Sequence, residues 1–115
     1  MRDAKIGGVV VLPDPFFASQ KANIARLALE YRLPSMFGDP DFVEAGGLIS
    51  YGDPLGNFMK RAAYYVDQIF RGAKPLDLPV QQPTRFELAI NLKTATFLGL
   101  KMPSTLLAVA DRVIE

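Results

Sequence analysis

The chain has 115 residues, half of them hydrophobic, and its 13 basic and 12 acidic residues leave a formal net charge of +1. This length suits one small domain, and the near-neutral charge gives no electrostatic basis for binding nucleic acid or an anionic membrane. Cysteine and histidine are both absent, which excludes disulfides, Cys/His metal sites, thiol nucleophiles and histidine general bases.

The first elements form a strand followed by a helix. Residues 8–13 are a continuous apolar run without alternation, which predicts a strand buried on both faces, as in parallel sheets. Asp14-Pro15 is typical of a helix N-cap and first helical position. One helix is predicted over residues 16–32, because apolar side chains recur there at helical spacing. These are Ile24, Leu27, Ala28 and Tyr31.

Two more strands and a long helix are predicted next. Residues 33–37 indicate a second strand ended by Gly38-Asp39-Pro40, and residues 48–51 a third, with one helical turn over residues 41–45 between them. Asp53-Pro54 repeats the cap-then-proline start, and its helix reaches about Arg71 before Gly72. The apolar face of this helix contains Leu55, Phe58, Met59, Ala62, Val66, Ile69 and Phe70.

The remaining residues predict a connector, a strand and two helices. Residues 73–83 contain three prolines and indicate an extended connector. Residues 84–90 alternate, with Phe86, Leu88 and Ile90 on one side, so one strand face should be more exposed. Asn91 caps a helix over residues 92–98 closed by Gly99, and Ser104 caps a last helix. That last helix holds Leu106, Leu107, Ala110, Val113 and Ile114. The fold class predicted is α/β, a mostly parallel sheet flanked by helices.

Two strand ends offer candidate ligand-binding residues, because ligands of open α/β sheets bind beyond the carboxyl ends of the strands. The residues are Asp14, Phe16, Ser50 and Tyr51. Alternatives stay open: Asp14 and Asp53 suit plain N-caps, Phe16 and Phe17 suit core packing, and Tyr51 suits covering a strand end. The sequence lacks the P-loop and the G-x-G-x-x-G pattern. Asp39, Asp41 and Glu44 lack EF-hand spacing and indicate a solvated loop. No cofactor and no metal are expected.

The most specific stretch is GAKPLDLPVQQPTRFELAINLKTATFLGLKMP, preceded by VVVLPDPFFASQKANIARLALEYRLPSMF and FVEAGGLISYGD. Over essentially its whole length the chain resembles the C-terminal part of ABC-transporter solute-binding proteins related to tryptophan/tyrosine uptake. The resemblance implies a fragment of a type I periplasmic-binding fold with two lobes and a cleft between them. It implies capture of a small solute, such as an amino acid, for an ABC permease, without catalysis and outside the cytoplasm.

The resemblance also assigns places to residues. Asp14 falls where the family presents a polar side chain to the ligand, and residues 50–52 fall near the last crossing between lobes. The chain would form a single α/β unit, 1–115, in which residues 1–52 end the second lobe. Residues 53–115 would supply a helix, a connector and return elements toward the first lobe. Full-length members are longer and carry a secretion signal. By comparison, this sequence is expected to be without a signal peptide and without nearly all of the first lobe.

Two other functions compete with solute binding. One is a flavodoxin-like or Rossmann-like enzyme using Asp14 as acid/base or metal ligand, and the other is a stand-alone interaction module that oligomerises. The mean hydropathy of +0.14 indicates faces covered by a partner. Phe86-Leu88-Ile90 and the Leu106/Leu107/Ile114 surface are expected to be uncovered in a monomer. A homo-oligomer is therefore predicted, in which the segment after residue 83 packs on another copy.

Overall fold

A computed structural model describes residues 5–115 and shows one five-stranded sheet. The prediction about a signal peptide falls partly on residues 1–4, which lie outside the described residues. The strands are β1 (Val9–Val11), β2 (Ser35–Phe37), β3 (Ile49–Gly52), β4 (Glu87–Asn91) and β5 (Arg112–Ile114), in that spatial order. β1–β2, β2–β3 and β4–β5 are parallel pairs, whereas β4 runs antiparallel to β3. The predicted mostly parallel sheet is confirmed.

Six α-helices connect or flank the strands of the described part. They are α1 (Pro15–Ser19), α2 (Lys21–Glu30), α3 (Pro40–Glu44), α4 (Leu55–Phe70), α5 (Leu92–Phe97) and α6 (Ser104–Val109), with a 3-10 turn at Pro75–Asp77. α3 packs on β2, β3 and β4 and brings Phe42 and Val43 into the core beside Phe37. None of the helices within residues 5–115 combines the length and apolar character that crossing a membrane requires.

The helix predicted over residues 16–32 is two helices, so that prediction is wrong in its continuity. The break lies at Gln20, whose backbone has φ −107° and ψ 14° and whose N–H is bonded back to the Phe17 carbonyl. Just before it, the Ser19 hydroxyl donates to the Phe16 carbonyl at 2.6 Å. A serine side chain that bonds a local carbonyl in this way weakens a helix interior.

β1 is less covered than predicted. Val10 is 66% exposed and Leu12 is 71% exposed, so the expectation of a strand buried on both faces is wrong. Within residues 5–115, β1 lies at the edge of the sheet and pairs only with β2. An open apolar groove of about 520 Å³ runs between β1 and α2.

β4 is more covered than predicted. It spans Glu87–Asn91, and Leu88, Ala89 and Ile90 are all buried because β4 lies between β3 and β5. On the face that was predicted to be more exposed, Arg85 is exposed and Glu87 is partly exposed, whereas Ala89 is buried. The predicted uncovered Phe86-Leu88-Ile90 surface is wrong, because only Phe86 of the three is exposed. β4 pairs with β3 of the same chain.

The last predicted helix is also wrong beyond residue 109. α6 begins at Ser104 with Pro103 as its cap residue and ends at Val109, and Arg112–Ile114 forms β5 instead. Asp111 explains the change: its N–H donates to the Leu88 carbonyl, and its carboxylate accepts from the Leu88 N–H, both at 2.9 Å. These two bonds align the β-branched Val113 and Ile114 for pairing with β4.

α4 extends away from the sheet. The helix and its end at Gly72, which has φ +99°, are as predicted, yet none of the residues of α4 is buried. The radius of gyration is 17.3 Å, against about 13 Å for a compact domain of this length. The apolar face of α4 is therefore exposed in the described chain.

Candidate functional site

Three parallel strands end at one edge of the sheet, and an Asp-Pro pair follows each of them. Asp14 follows β1, Asp39 follows β2 and Asp53 follows β3. The carboxyl ends of parallel strands share one edge, so the three carboxylates belong to the edge where ligands of such sheets bind. Sequence analysis singled out Asp14 and Asp53 and placed Asp39 in a solvated loop. The repeated Asp-Pro after each strand is the signal that could have found Asp39.

The backbone is tightly packed at this edge. A Cβ atom on Gly52 would lie 2.2 Å from the Gly38 carbonyl oxygen, and one on Gly38 would lie 2.6 Å from Cγ of Pro13. Real Cβ atoms do not approach other atoms so closely, so both positions need glycine. The ends of β1, β2 and β3 thus form a closed floor, above which side chains project.

Asp14 caps α1 and keeps capacity for a ligand. Its Oδ1 atom accepts from the Phe16 N–H at 2.8 Å, which bears out the N-cap interpretation. Among residues 5–115, this is the only hydrogen bond that reaches the Asp14 carboxylate. Asp14 is exposed, so its second oxygen can accept a hydrogen bond from a molecule at the edge.

Asp39 uses both of its carboxylate oxygens within the protein. Oδ1 accepts from the Asp41 N–H and caps α3, while Oδ2 accepts from the Leu55 N–H at the start of α4, each at 2.9 Å. Nearby, Lys21 Nζ lies 2.8 Å from Asp41 Oδ2, and the hydrogen bond to Asp41 raises the pKa of Lys21. The prediction of a merely solvated loop is wrong for Asp39.

Asp53 is not a helix cap. Pro54 occupies the cap position of α4, and the Asp53 carboxylate instead pairs with Arg61 and accepts from Asn57 Nδ2 at 3.1 Å. The hydrogen bond from Arg61 is the main cause that lowers the pKa of Asp53. Only 9% of the Asp53 side chain is exposed, and its charge is paired with that of Arg61 in α4.

Aromatic rings line the open parts of this region. Phe16 is 68% exposed and Tyr51 is 53% exposed. Tyr51, at the end of β3, stacks on Phe86 with ring centroids 5.5 Å apart and planes inclined by 23°. Phe86 precedes β4, so the stacked pair joins the chain leaving the sheet to the chain returning. Phe86 was not a candidate from sequence, because Tyr51, on which it stacks, lies 35 residues earlier in the chain.

Ser50 is placed differently from the other three candidates. Its side chain is fully buried, next to Phe37 on β2 and Ala89 on β4 in the sheet register. Its Oγ atom has no hydrogen-bond partner among residues 5–115. Asp14, Phe16 and Tyr51 are open to solvent at or near the carboxyl edge, whereas Ser50 lies beneath it.

Within residues 5–115, no group of three acidic side chains could hold a metal ion.

The family model described as ABC transporter substrate binding protein matches residues 2–114. The chain belongs to this family. No curated protein is significantly similar to it in sequence.

Solved structures of similar proteins share the fold of this family member. One is a conserved domain protein from Vibrio cholerae, with a TM-score of 0.86 and 28% identity over 95% of this chain. Another is an ABC domain in complex with L-Trp from Streptococcus pneumonia, with a TM-score of 0.85 and 28% identity over 96% of this chain. A ligand-free, open substrate binding protein from Clostridium difficile, 22% identical over 96% with a TM-score of 0.61, is similar in fold.

The family member is much shorter than these similar proteins. It spans 37% of the length of each of the three solved chains. Family membership and the shared fold favour the substrate-binding-protein family over the flavodoxin-like or Rossmann-like alternative.

Proposed function

We propose that this chain forms part of the solute-binding component of an ABC transporter and that its carboxyl edge contacts an amino acid or a similar small zwitterion. The observation that carries the proposal is the Asp14 carboxylate, which keeps one oxygen without a hydrogen-bond partner among residues 5–115, at the carboxyl edge of the sheet of a family member. The similar protein from Streptococcus pneumonia, in complex with L-Trp, supports an amino acid as the solute class.

The roles follow from the chemistry of each side chain. The second oxygen of Asp14 accepts a charge-assisted hydrogen bond from the solute ammonium group, a bond of about 2.7–2.9 Å when formed. Phe16 and Tyr51 offer exposed ring faces to an apolar or aromatic side chain. Ser50 remains a predicted ligand residue, and its burial means that it reaches a solute only if the floor opens above it.

The proposed architecture divides the chain at residue 52. Residues 1–52 belong to the lobe that carries Asp14, and residues 53–115 supply α4, the connector and the return elements toward a first lobe. The exposed side chains on α4 support this division, because soluble proteins rarely leave so large an apolar surface uncovered. The relatives' additional length is sufficient to supply a lobe that covers α4. The exposed apolar side chains on α4 are Leu55, Phe58, Met59, Val66, Ile69 and Phe70, between 44% and 86% exposed.

The partner proposed for the complete protein is an ABC permease, to which the component delivers its solute. This places the component on the outer side of the cytoplasmic membrane, in the periplasm or its equivalent. The family, as a substrate-binding component of transporters, supports both assignments. A non-enzymatic role follows from them, since delivery changes no covalent bond of the solute.

A thermal-shift screen of the two-lobed protein that carries this segment tests the proposal. A solute that binds only the folded state stabilises it by about 2.7 kcal/mol when present at a hundredfold over Kd. We expect at least one of the twenty amino acids to raise Tm and Asp14→Asn to reduce that rise. Asp77→Asn, which removes an exposed carboxylate in the connector, serves as the control with an unchanged rise. An amino acid that stabilises Asp14→Asn as much as the wild type would remove Asp14 from the site.

A further inference from the structure

We infer that Asp39 is a positioning residue that fixes the angle between α4 and the sheet. Its carboxylate is shared between two helices: Oδ1 accepts from the Asp41 N–H of α3, and Oδ2 accepts from the Leu55 N–H of α4, each at 2.9 Å. α3 is packed on the sheet through Phe42 and Val43. The carboxylate therefore ties the first residue of α4 to an element that cannot move independently of the core.

Within residues 5–115, no second polar bond of this kind joins α4 to the sheet or to a helix packed on it. Among the described residues, the other side-chain bonds of α4 run to Asp53 just before the helix, to Arg71 at its end, or to the connector. Arg61 and Asn57 bond Asp53, and the Tyr65 hydroxyl bonds the Pro79 carbonyl. Since none of the residues of α4 is buried, packing does not replace the missing bonds. The bond between Asp39 and Leu55 thus has no substitute in residues 5–115.

The first turns of α4 move together with the crossing that precedes them. Asp53 bonds Asn57 in the first turn of the helix and Arg61 in the second. These bonds hold residues 53–61 together as one unit. That unit begins beside Gly52, where a Cβ atom would lie 2.2 Å from the Gly38 carbonyl oxygen. A change in the angle of α4 must therefore be taken up at Gly52, and the Asp39 carboxylate is bonded across that point.

The returning chain holds α4 less firmly. Residues 80–85 make no hydrogen bond to other described residues. The next contact along the chain is the stacking of Phe86 on Tyr51, directly before β4 begins. Asp39 also belongs to the same strand-end edge as Asp14. If the proposed function is right, Asp39 sets how the elements beyond the crossing face a solute held by Asp14. This role of Asp39 toward a solute rests on the proposed function, whereas its role in orienting α4 does not.

Spin-label distances on the 115-residue chain test the inference. The sequence has no cysteine, so the labels sit only at the exposed Lys60→Cys in α4 and Lys101→Cys near α6. Dilution of the labelled chain with unlabelled chain leaves the one distance within a chain, even where copies associate. The test variant is Asp39→Ser, because serine is a good N-cap for α3 but has one oxygen for two N–H donors. Asp41→Ser is the matched control, since Asp41 carries the same charge on the same helix and its side chain does not bond α4.

We expect Asp39→Ser to broaden the distance distribution at least twofold, while Asp41→Ser leaves it as in the wild type. Equal widths in Asp39→Ser and wild type, or equal broadening by Asp41→Ser, would overturn the inference. If Asp39→Ser does not fold, Asp39→Asn is measured by hydrogen exchange. The Leu55 amide should then exchange about tenfold faster, the factor for one lost hydrogen bond of about 1.4 kcal/mol. Unchanged exchange would equally overturn it. Neither readout uses a solute, so the failure of solute binding would leave this result standing.

Discussion

Asp14, Asp39 and Asp53 each precede a proline at the end of a parallel strand, yet their carboxylates have different partners. Asp14 caps its own helix, Asp39 joins two helices, and Asp53 pairs with Arg61. The cap at Asp14 was predictable because the N–H that donates to its carboxylate, that of Phe16, lies two residues away in sequence. The bonds of Asp39 to Leu55 and of Asp53 to Arg61 depend on how α4 leaves the sheet, which local sequence does not encode.

The Asp53–Arg61 pair predicts a dependence of stability on pH. Arg61 lowers the pKa of Asp53, so the stabilising charge is present above the ordinary pKa of about 3.9 and is lost as pH falls through the lowered value. Asp53→Asn should therefore have a lower Tm than the wild type at pH 7. The difference should persist down to about pH 4 and narrow below it. Thermal unfolding followed by circular dichroism from pH 7 to acid measures this, and a difference that stays constant throughout would contradict it.

Helices and strands with local signals were predictable, and those decided by tertiary contacts were not. α4 and its Gly72 end, the N-cap at Asn91 and the short β2 and β3 follow from caps, breakers and apolar runs. β5 was missed because Val109 to Ile114 reads equally well as the end of a helix. The pairing of Asp111 with Leu88, 23 residues away, decides for the strand. Burial on β1 and β4 was misjudged because their neighbours in the sheet cannot be read from each strand alone.

The junction between β4 and α5 depends on Asn91. Its Oδ1 accepts from the Thr94 N–H, and its Nδ2 donates to the Val43 carbonyl, each at 3.1 Å, while the residue is 5% exposed. Asn91→Ala should lower the free energy of unfolding by about 1–3 kcal/mol, because a cap is lost and a buried carbonyl is left without its donor. Urea denaturation measures the loss. The control is Thr96→Ala on the exposed side of α5, with an effect within about 0.5 kcal/mol; an equal effect of both substitutions would contradict the role of Asn91.

At the scale of the molecule, the exposed apolar surface lies elsewhere than predicted. Two of the residues predicted to be uncovered, Leu88 and Ile90, are buried, and three more, Leu106, Leu107 and Ile114, are partly covered. The apolar face of α4, in contrast, is exposed. Self-association of the 115-residue chain remains a prediction, now placed on α4.

Phe58→Lys combined with Val66→Lys tests this placement. Both side chains lie on the apolar face of α4, where Phe58 is 56% exposed and Val66 is 50% exposed. Two charges on that face should oppose its burial against another copy. Light scattering at tens of micromolar should show an oligomer for the wild type and a monomer for the double variant. Tyr64→Lys, on the opposite side of the same helix, is the control that should still associate. A monomeric wild type would contradict the prediction, and so would a double variant that associates as the wild type does.

The most direct test of solute binding at Asp14 is titration calorimetry on the two-lobed protein that carries this segment, comparing L-tryptophan with indole-3-propionate. The two ligands share a ring and a carboxylate, and only L-tryptophan has an ammonium group for Asp14. Asp14→Asn should raise the Kd for L-tryptophan by about tenfold to a hundredfold, as expected for a hydrogen bond to a charged group. It should leave indole-3-propionate, which binds weakly to both forms, unchanged. An equal loss for both ligands would show that Asp14 acts only as the cap of α1, and tight binding of L-tryptophan to Asp14→Asn would contradict the proposed site.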